Sequence, residues 1–279
     1  MIKLLYGPPV NENNKKITNK VIELLKNGQS ESLTYIAPTY QMIKDLKDKI
    51  FSNTEIGITG STNFFLFKGF INEVLKDSTQ FKPIISRVQR ELILKDVTEQ
   101  LIKSDKISYF ANIAKYPGFY EDLLNLIREI SLENEIENSQ FLENIDNQKF
   151  KEIFIIYNNY YKYLQENDLK DDYLQYEAAL NNLEKSEMVE NLDYIIVDGF
   201  QDFNLYQKKI LNKLSELGKK VWINRNFAKD RPGIYHSEDE LNKKLNISTK
   251  EKGATLSLNN NTLEHLRNNL FTIDYEKKS

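Results

Sequence analysis

Short apolar runs followed by amphipathic helical stretches occur at both ends of this chain, and this alternation constrains its fold more than any other feature. Ile2–Tyr6 and Leu33–Ala37 are apolar runs of strand length, and each is followed by apolar residues at helical spacing. The alternation resumes after Leu192, where a strand at Tyr194–Val197 precedes an amphipathic helix at Leu205–Leu217. Because parallel strands are joined by helical crossovers, we predict an α/β fold with a parallel sheet and right-handed crossovers.

The remaining α/β elements are predicted from shorter patterns. Ile56–Thr59 indicates a third strand, and the amphipathic helix predicted after it turns Phe64 inward. Val221–Asn224 indicates the strand that follows the helix near the far end of the chain. Residues 225–279 are polar and indicate loops, with Leu263–Leu270 as their one clear helix.

The middle of the chain, residues 81–187, has a different pattern. Apolar residues recur there with a period of 3.6, and the patterns typical of strands are scarce. Helices are predicted at Arg87–Lys103, Tyr120–Leu132, Phe141–Leu164 and Tyr173–Leu183. We therefore predict an all-helical subdomain over 81–187, inserted in an α/β domain formed by 1–80 and 188–279.

Four tyrosines lie close together in the predicted helical subdomain, at Tyr157, Tyr160, Tyr161 and Tyr163. Successive aromatic rings can form a platform on which the bases of single-stranded DNA stack. The alternative is a helix whose tyrosines pack against the core with their hydroxyl groups toward solvent. We favour this structural interpretation.

The chain contains no cysteine and only two histidines, His236 and His265. Disulfides, thiolate nucleophiles, iron–sulfur clusters and zinc sites built from Cys or several His are therefore excluded within this sequence. The N-terminal apolar run is too short for a signal peptide, and no stretch approaches the ~18 apolar residues that span a bilayer. We expect a soluble protein of the reducing cytoplasm with no membrane partner.

The net charge of −3 excludes a strongly basic, histone-like nucleic-acid binder, but the charge is unevenly distributed. Residues 121–146 hold eight acidic residues and one basic residue, whereas 205–252 hold twelve basic and six acidic residues. Two oppositely charged solvated surfaces explain this distribution, and we favour that interpretation. A basic surface that meets nucleic-acid phosphates is the alternative.

The segment after the first strand is where a P-loop would bind phosphate, because a turn that opens with Gly7 leads there into a helix N-terminus. A P-loop requires Gly-x4-Gly-Lys-Ser/Thr. Counting from Gly7, the last three positions are held by Glu12, Asn13 and Asn14. Lys15 or Lys16, together with Thr18, could replace the missing residues if the loop is longer than usual.

A second junction, Asp198-Gly199-Phe200-Gln201-Asp202, follows the apolar strand Tyr194–Val197. In P-loop NTPases a carboxylate at such a strand end holds Mg²⁺ through water. The junction resembles Asp-Glu-Phe-Gln-Asp of UvrD-type helicases at four of its five positions. The departure is Gly199, which stands where those helicases carry the glutamate that polarises the attacking water, so no general base remains there.

Similar segments occur in order across nearly the whole chain, and together they resemble the N-terminal, helicase-like region of AddB-family subunits of AddAB helicase–nucleases. The segments are Tyr35–Met42, Ala114–Ile130, Asp171–Leu180, Ile195–Phe203 and Leu263–Phe271. The resemblance implies an inactivated UvrD-type helicase, with a RecA-like parallel sheet and a helical subdomain inserted before the strand that ends at Asp198. It also implies two partners: DNA, single-stranded or forked, and an AddA-like motor–nuclease subunit.

Site residues are assigned by their position on such a sheet. DNA phosphates would meet hydroxyl and N–H groups where the second and third strands end, at Thr39, Tyr40, Gln41, Ser61 and Thr62. Simple helix N-caps are the alternative interpretation of these residues. The resemblance implies a γ-phosphate sensor after the next strand, and we assign Arg225 to it. A degenerate nucleotide site would then combine Gly7, Lys15, Lys16, Thr18, Asp198 and Arg225, and Asp198 would hold Mg²⁺ only if Mg-ATP binds.

From these observations we expect an ATPase-inactive, DNA-binding scaffold module of a double-strand-break repair complex, with no catalytic residue and no assigned cofactor. Two alternatives remain open: a weak ATPase that binds ATP and Mg²⁺ through Lys15 or Lys16 and Asp198, and a protein-interaction module with neither activity. The family continues into a second helicase-like half and a nuclease domain with a four-cysteine iron–sulfur site. These have no counterpart here, so we expect a fragment or a truncated relative.

Overall fold

The computed structural model describes residues 1–8, 11–53, 63–133, 147–227 and 244–254. The strands in these ranges are β1 Ile2–Gly7, β2 Leu33–Ala37, β3 Phe64–Leu66, β4 Tyr194–Asp198, β5 Lys220–Asn226 and β6 Ile247–Lys252. They form one sheet in the order β3-β2-β4-β5-β1-β6, and every pairing between neighbouring strands is parallel. The predicted α/β fold with a parallel sheet is therefore confirmed, and it is consistent with a RecA-like architecture.

The helices in the described ranges are α1 Glu12–Lys26, α2 Tyr40–Asn53, α3 Phe67–Leu75, α4 Arg87–Lys103, α5 Pro117–Glu133, α6 Gln148–Glu166, α7 Asp172–Asn182, α8 Glu187–Asn191 and α9 Leu205–Glu216. α4 has the predicted bounds, because Ser86 and Gln89 form a reciprocal capping box at its start. α6 is described from Gln148 onward, and residues 141–146 of the predicted helix lie outside the described ranges. None of the described helices is long and apolar enough to cross a bilayer.

The chain divides into two compact units. The α/β unit comprises Met1–Ser78, Leu180–Phe203 and the described residues from Gln207 onward, and the helical unit comprises Thr79–Ala179 with Asn204–Tyr206. Each unit buries apolar side chains of its own. In the α/β unit, α1 and α2 pack against the sheet, and in the helical unit α4, α5 and α6 pack together.

The carboxyl ends of the central strands lie at one edge of the sheet. Gly7 at the end of β1 is opposite Asn226 of β5, and Asp198 at the end of β4 is opposite Asn224 of β5. β2 pairs with β4 on the side away from β5. Because these strands are parallel, the turns that follow β1, β2, β4 and β5 emerge together, and this edge positions the predicted site.

The prediction of a helix that includes Phe64 is wrong. Phe64 begins β3, which pairs with β2, and α3 begins only at Phe67. Three consecutive bulky apolar residues suit a short strand as well as one turn of a helix, and the pairing with β2 selects the strand. The third strand predicted at Ile56–Thr59 lies outside the described residues.

The region after residue 225, predicted to be loop-rich with one clear helix, also contains a strand that the sequence pattern does not predict. Ile247–Lys252 forms β6, which pairs with β1 at the edge of the sheet. Most of its side chains are exposed. An edge strand with one partner does not need an apolar run, so its sequence lacks the usual strand signal. The helix predicted at Leu263–Leu270 lies outside the described residues.

Three of the four tyrosines of α6 pack into the helical core, but the prediction that their hydroxyls point to solvent is wrong for two of them. Tyr160 is fully buried, and Tyr161 donates its hydroxyl hydrogen to Asp171 Oδ2 at 2.9 Å and lies 2.8 Å from the Ser131 hydroxyl. Both tyrosines lie on the inward stripe of α6, so their hydroxyls are enclosed by other side chains. Tyr163 lies off that stripe and is 37% exposed.

Candidate functional site

The carboxylate of Asp198 lies between side chains from both neighbouring strands. Tyr35 of β2 donates its hydroxyl hydrogen to Asp198 Oδ2 at 2.9 Å, and Asn224 of β5 donates from Nδ2 to Asp198 Oδ1 at 2.8 Å. Asn224 Nδ2 also lies 3.1 Å from Oδ1 of Asn14, in the first turn of α1. Both oxygens of Asp198 therefore already accept a hydrogen bond from the protein.

Burial raises the pKa of the Asp198 carboxyl, although the hydrogen bonds from Asn224 and Tyr35 lower it in part. The pKa of the Tyr35 hydroxyl is raised as well, first by burial and then by the charge of Asp198. A pocket of about 150 Å³ opens beside these groups, with room for about five water molecules. Its other polar lining includes Thr18, Lys49 and Arg225. The buried Oδ1 of Asn224 has no hydrogen-bond partner among the described residues.

Gly199 follows Asp198 with φ +80°, a backbone conformation that other residues adopt only with strain. Its N–H donates to the carbonyl oxygen of Asn224 at 3.0 Å, which holds the turn against β5. A Cβ added at Gly199 would lie 2.8 Å from Sδ of Met42. The backbone conformation therefore disfavours any residue with a side chain at this position, and the flexible end of Met42 would have to move to admit one.

The N-terminus of α1 is closed by the chain's own acceptors. Asn11 caps the helix, and its Oδ1 accepts the N–H of Asn13 at 2.7 Å. The N–H of Glu12, the first helical residue, donates to the carbonyl oxygen of Ala254 at 3.0 Å. In a P-loop such amides bind phosphate, whereas here they are already bonded within the protein.

Gly253, which follows β6, lies against the turn after β1. Its N–H donates to the carbonyl oxygen of Tyr6 at 2.8 Å, and Asn13 Nδ2 donates to the same oxygen at 3.1 Å. A Cβ at Gly253 would lie 2.7 Å from Asn13 Nδ2, and one at Gly7 would lie 2.9 Å from the carbonyl oxygen of Gly253. Glycine at both positions therefore allows the two backbone segments to approach closely.

Lys15 and Lys16, the two possible substitutes for the P-loop lysine, both lie away from the pocket beside Asp198. Lys16 forms an ion pair with Glu251 of β6, and Lys3 of β1 lies 2.6 Å from the other oxygen of the same carboxylate. Lys15 is exposed. Neither Lys15 nor Lys16 lines the pocket beside Asp198.

The structure thus separates the predicted nucleotide-binding residues into two groups. Thr18, Asp198 and Arg225 line one pocket, whereas Gly7, Lys15 and Lys16 do not. The Arg225 side chain is buried, and its guanidinium lies 5.7 Å from the ring centroid of Phe227. The Thr18 hydroxyl donates to the carbonyl oxygen of Asn14 at 3.0 Å.

Three of the five residues predicted to contact DNA lie at the start of α2. Thr39 precedes the helix, and its Oγ1 accepts the N–H of Met42 at 3.3 Å, so it acts as an N-cap. Tyr40 is 75% exposed, and the exposed Gln41 donates from Nε2 to Asp45 at 2.7 Å. Two further predicted residues lie outside the described ranges, Ser61 and Thr62.

Sequence reasoning misses several residues of this site. Tyr35 lies inside an apolar strand, and nothing in its local pattern indicates that its hydroxyl meets a carboxylate. Asn11 carries a usable signal, because Asn directly before a helical stretch is a preferred N-cap. Gly253 becomes recognisable only once β6 is known to end beside β1.

Comparison with known proteins relates the chain to one family. The chain matches the family described as ADDB, N-terminal, over residues 4–270. A Listeria monocytogenes serotype 4a protein, named as the B subunit of an ATP-dependent helicase/deoxyribonuclease, is 26% identical over 256 residues, covering 87% of this chain and 21% of that protein. Proteins of the same name are 22% identical in Exiguobacterium sibiricum, covering 81% of this chain and 19% of the relative, and 23% identical in Carboxydothermus hydrogenoformans, covering 90% and 23%. The chain therefore spans about a fifth of the length of these relatives.

Proposed function

This chain belongs to the AddB N-terminal family, and from that premise we propose that it is a helicase-like scaffold without ATPase activity. It binds DNA within a helicase–nuclease complex that repairs double-strand breaks. The relatives are named as B subunits of an ATP-dependent helicase/deoxyribonuclease, which supports a role as one component of such a complex.

The closed N-terminus of α1 is the observation that carries the proposed lack of ATPase activity. Nucleotide phosphates need a row of backbone N–H donors and a lysine at this point of the fold. Here the N–H of Glu12 bonds to Ala254, Asn13 stands at the lysine position, and Lys16 is paired with Glu251. These residues do not fit a bound triphosphate.

The surroundings of Asp198 support the same proposal. A carboxylate that holds Mg²⁺ through water must be ionised. Burial raises the pKa of Asp198 and so disfavours its ionised form, and hydrogen bonds from Asn224 and Tyr35 already take up one acceptor site on each of its oxygens. Gly199 supplies no side chain to polarise an attacking water.

The proposed DNA surface is the carboxyl edge of the sheet. Tyr40 and Gln41 are exposed there in the first turn of α2, next to the N-cap Thr39. Exposed hydroxyl, amide and N–H groups of this kind position phosphates without reading sequence. We assign the same role to Ser61 and Thr62. The proposed protein partner is an AddA-like motor–nuclease subunit, and the proposed location is the cytoplasm.

Thermal unfolding with a non-hydrolysable ATP analogue and Mg²⁺ tests the proposed lack of nucleotide binding. A ligand that binds only the folded state must raise the unfolding temperature, so we expect no shift at millimolar analogue. Asp198→Ala serves as the matched variant. Its response to the analogue should equal that of the unaltered chain, because neither binds nucleotide.

A weak ATPase would give the opposite result. Mg²⁺-dependent ATP turnover that disappears in Asp198→Ala would show that the chain is an ATPase that uses Lys15 or Lys16, and would overturn the scaffold proposal.

DNA binding is tested separately with single-stranded and forked oligonucleotides, for which we expect an affinity that falls steeply with salt. Absent or salt-insensitive binding would indicate a protein-interaction module instead.

A further inference from the structure

An open groove of about 410 Å³ lies in the helical unit between α4, α6 and the turn that follows α4. We refer to it as the α4–α6 groove. Val97 and Leu101, both buried, form its apolar side. Polar and aromatic side chains from α4, α6 and the turn form the rest of its lining. The groove therefore combines an apolar surface with hydrogen-bonding and charged groups within one unit of the fold.

Tyr163 is the tyrosine of the 157–163 stretch that lines this groove. Its neighbours Tyr157, Tyr160 and Tyr161 are buried at 9%, 0% and 7% exposure, whereas Tyr163 is 37% exposed. Three of the four rings thus belong to the core, and the fourth is left at an accessible surface. An exposed ring beside an apolar surface is the arrangement on which nucleic-acid bases stack.

Two lysines and one glutamate, Glu166, line the same groove, so basic side chains outnumber acidic ones there. Lys106 is exposed and has no ion-pair partner among the described residues. Lys162 lies 3.8 Å from Glu166, but both side chains of this pair are more than 60% exposed, so the pair is weak and readily exchanged for another anion. Asn159 donates from Nδ2 to the carbonyl oxygen of Ile155, which leaves its Oδ1 as an acceptor for the edge of a base.

From this arrangement we propose that the α4–α6 groove binds one nucleotide of single-stranded DNA. The base stacks on Tyr163 above the apolar side of the groove, and the phosphate lies between Lys106 and Lys162. This inference rests on the proposed DNA-binding function and gives the helical unit a defined site for it. An acidic peptide would also meet the lysines, but it would not require the aromatic ring.

Fluorescence anisotropy of a labelled oligothymidylate, titrated with the full chain at several salt concentrations, tests the groove. Tyr163→Ala should weaken binding about 5- to 150-fold, which corresponds to the loss of one stacked base. Tyr163→Phe keeps the ring and should bind as the unaltered chain does. Lys106→Ala and Lys162→Ala should each reduce the salt dependence by about 0.7 in the slope of log affinity against log salt.

Tyr116→Ala is the matched control, because Tyr116 is an exposed tyrosine of the helical unit outside the groove. It should leave DNA binding unchanged, and thermal unfolding should show that every variant is folded.

Three outcomes would count against the proposal. If the chain binds DNA but Tyr163→Ala and the lysine variants bind equally well, the groove is not the site and the proposed function stands. If a loss occurs in the lysine variants but not in Tyr163→Ala, the groove binds anions without a base, and the proposed nucleotide site is overturned. If the unaltered chain shows no salt-dependent binding, both the groove site and the proposed DNA-binding function are overturned.

Discussion

The carboxylate of Glu152, fully buried on α6, accepts hydrogen bonds from three consecutive backbone N–H groups. Those of Ser108 and Tyr109 lie at 2.9 and 2.8 Å, and that of Phe110 lies at 3.3 Å. Gln148 donates a fourth bond at 2.8 Å. Burial by itself raises the pKa of Glu152, but the four donors outweigh it and hold the pKa below its usual range. One ionised residue thus fixes the turn between α4 and α5.

Glu152→Gln should destabilise the chain by about 1–3 kcal/mol at pH 7, because the amide would bring its own N–H groups toward these donors. The folded pKa of Glu152 is depressed, so its contribution is fully present above the unfolded value of about 4.3 and is lost as the pH falls through the folded pKa. Urea unfolding followed by far-UV circular dichroism should show a difference between the two chains that shrinks in acid.

The exposed Glu166 of the same helix provides the control for this prediction. Glu166→Gln should change the free energy of unfolding by less than about 0.5 kcal/mol at any pH. A stability difference between Glu152→Gln and the unaltered chain that stays constant from neutral to acidic pH would show that the charge of Glu152 is not what stabilises the turn.

Single residues of the candidate site differ in how far their sequence context predicts them. Asp198 is recognisable, because an apolar strand stops there. Its partners are not, since Tyr35 and Asn224 lie 163 and 26 residues away along the chain and become neighbours only through the order of the sheet. The resemblance to UvrD-type helicases predicts a glutamate where Gly199 stands, whereas the positive φ that disfavours a side chain there appears only in the structure.

At the scale of elements, β6 is a strand without an apolar run. The residues that follow it bond to the turn after β1, where a P-loop would bind phosphate. Lys16 and Lys3 both pair with Glu251, and these two partners hold the pKa of its carboxyl below the usual range. Among the strands that the structure describes, β6 pairs only with β1. The Glu251 contacts therefore help to fasten β6, and with it Gly253 and Ala254, over the start of α1.

Glu251→Gln should loosen the end of β6 and speed hydrogen exchange at the amides of Gly253 and Glu12. The pairs are partly exposed, so we expect an effect of up to about 1 kcal/mol, or about fivefold in the opening equilibrium. Because the folded pKa is lowered, the effect should be complete above the unfolded value of about 4.3 and should fade as the pH falls through the folded pKa.

Glu23→Gln is the matched control, because Glu23 pairs with Lys20 at 2.7 Å on α1, away from β6. It should leave exchange at Gly253 and Glu12 unchanged. Equal exchange rates in Glu251→Gln and the unaltered chain would mean that the ion pairs do not fasten β6.

The spacing of apolar residues predicts those elements that bury either one face or their whole length. α4 buries one stripe that includes Leu94, Val97 and Leu101, and the strands β1, β2 and β4 each bury most of an apolar run, so their apolar residues predict them. β3 has only three residues, too few to distinguish a strand from a helical turn. β6 lies at the edge of the sheet, where exposure removes the pattern.

For the whole molecule, the helical unit is notable because its apolar core draws on one continuous stretch of chain. All of the buried residues in that core lie between Ile85 and Leu174. Asp171 connects the start of α7 to α6, since its Oδ1 accepts the N–H of Leu174 at 3.0 Å and its Oδ2 accepts the hydroxyl of Tyr161 at 2.9 Å. The helical unit also takes in Asn204–Tyr206, where the ring of Tyr206 lies 5.2 Å from that of Tyr173. Because the clustered core residues themselves all lie in one stretch, that stretch should form without the α/β unit.

A fragment of residues 79–185 should therefore fold by itself, with a helical circular dichroism spectrum and a cooperative thermal transition. A shorter fragment of residues 79–166 provides the comparison. It ends before Asp171 and Leu174, so it leaves the Tyr161 hydroxyl without its carboxylate partner and removes the last side chain of the core. The loss of a buried hydrogen bond and of an apolar contact should lower its stability by at least about 2 kcal/mol. If the longer fragment melts without cooperativity, the helical unit depends on the α/β unit and is not an inserted domain.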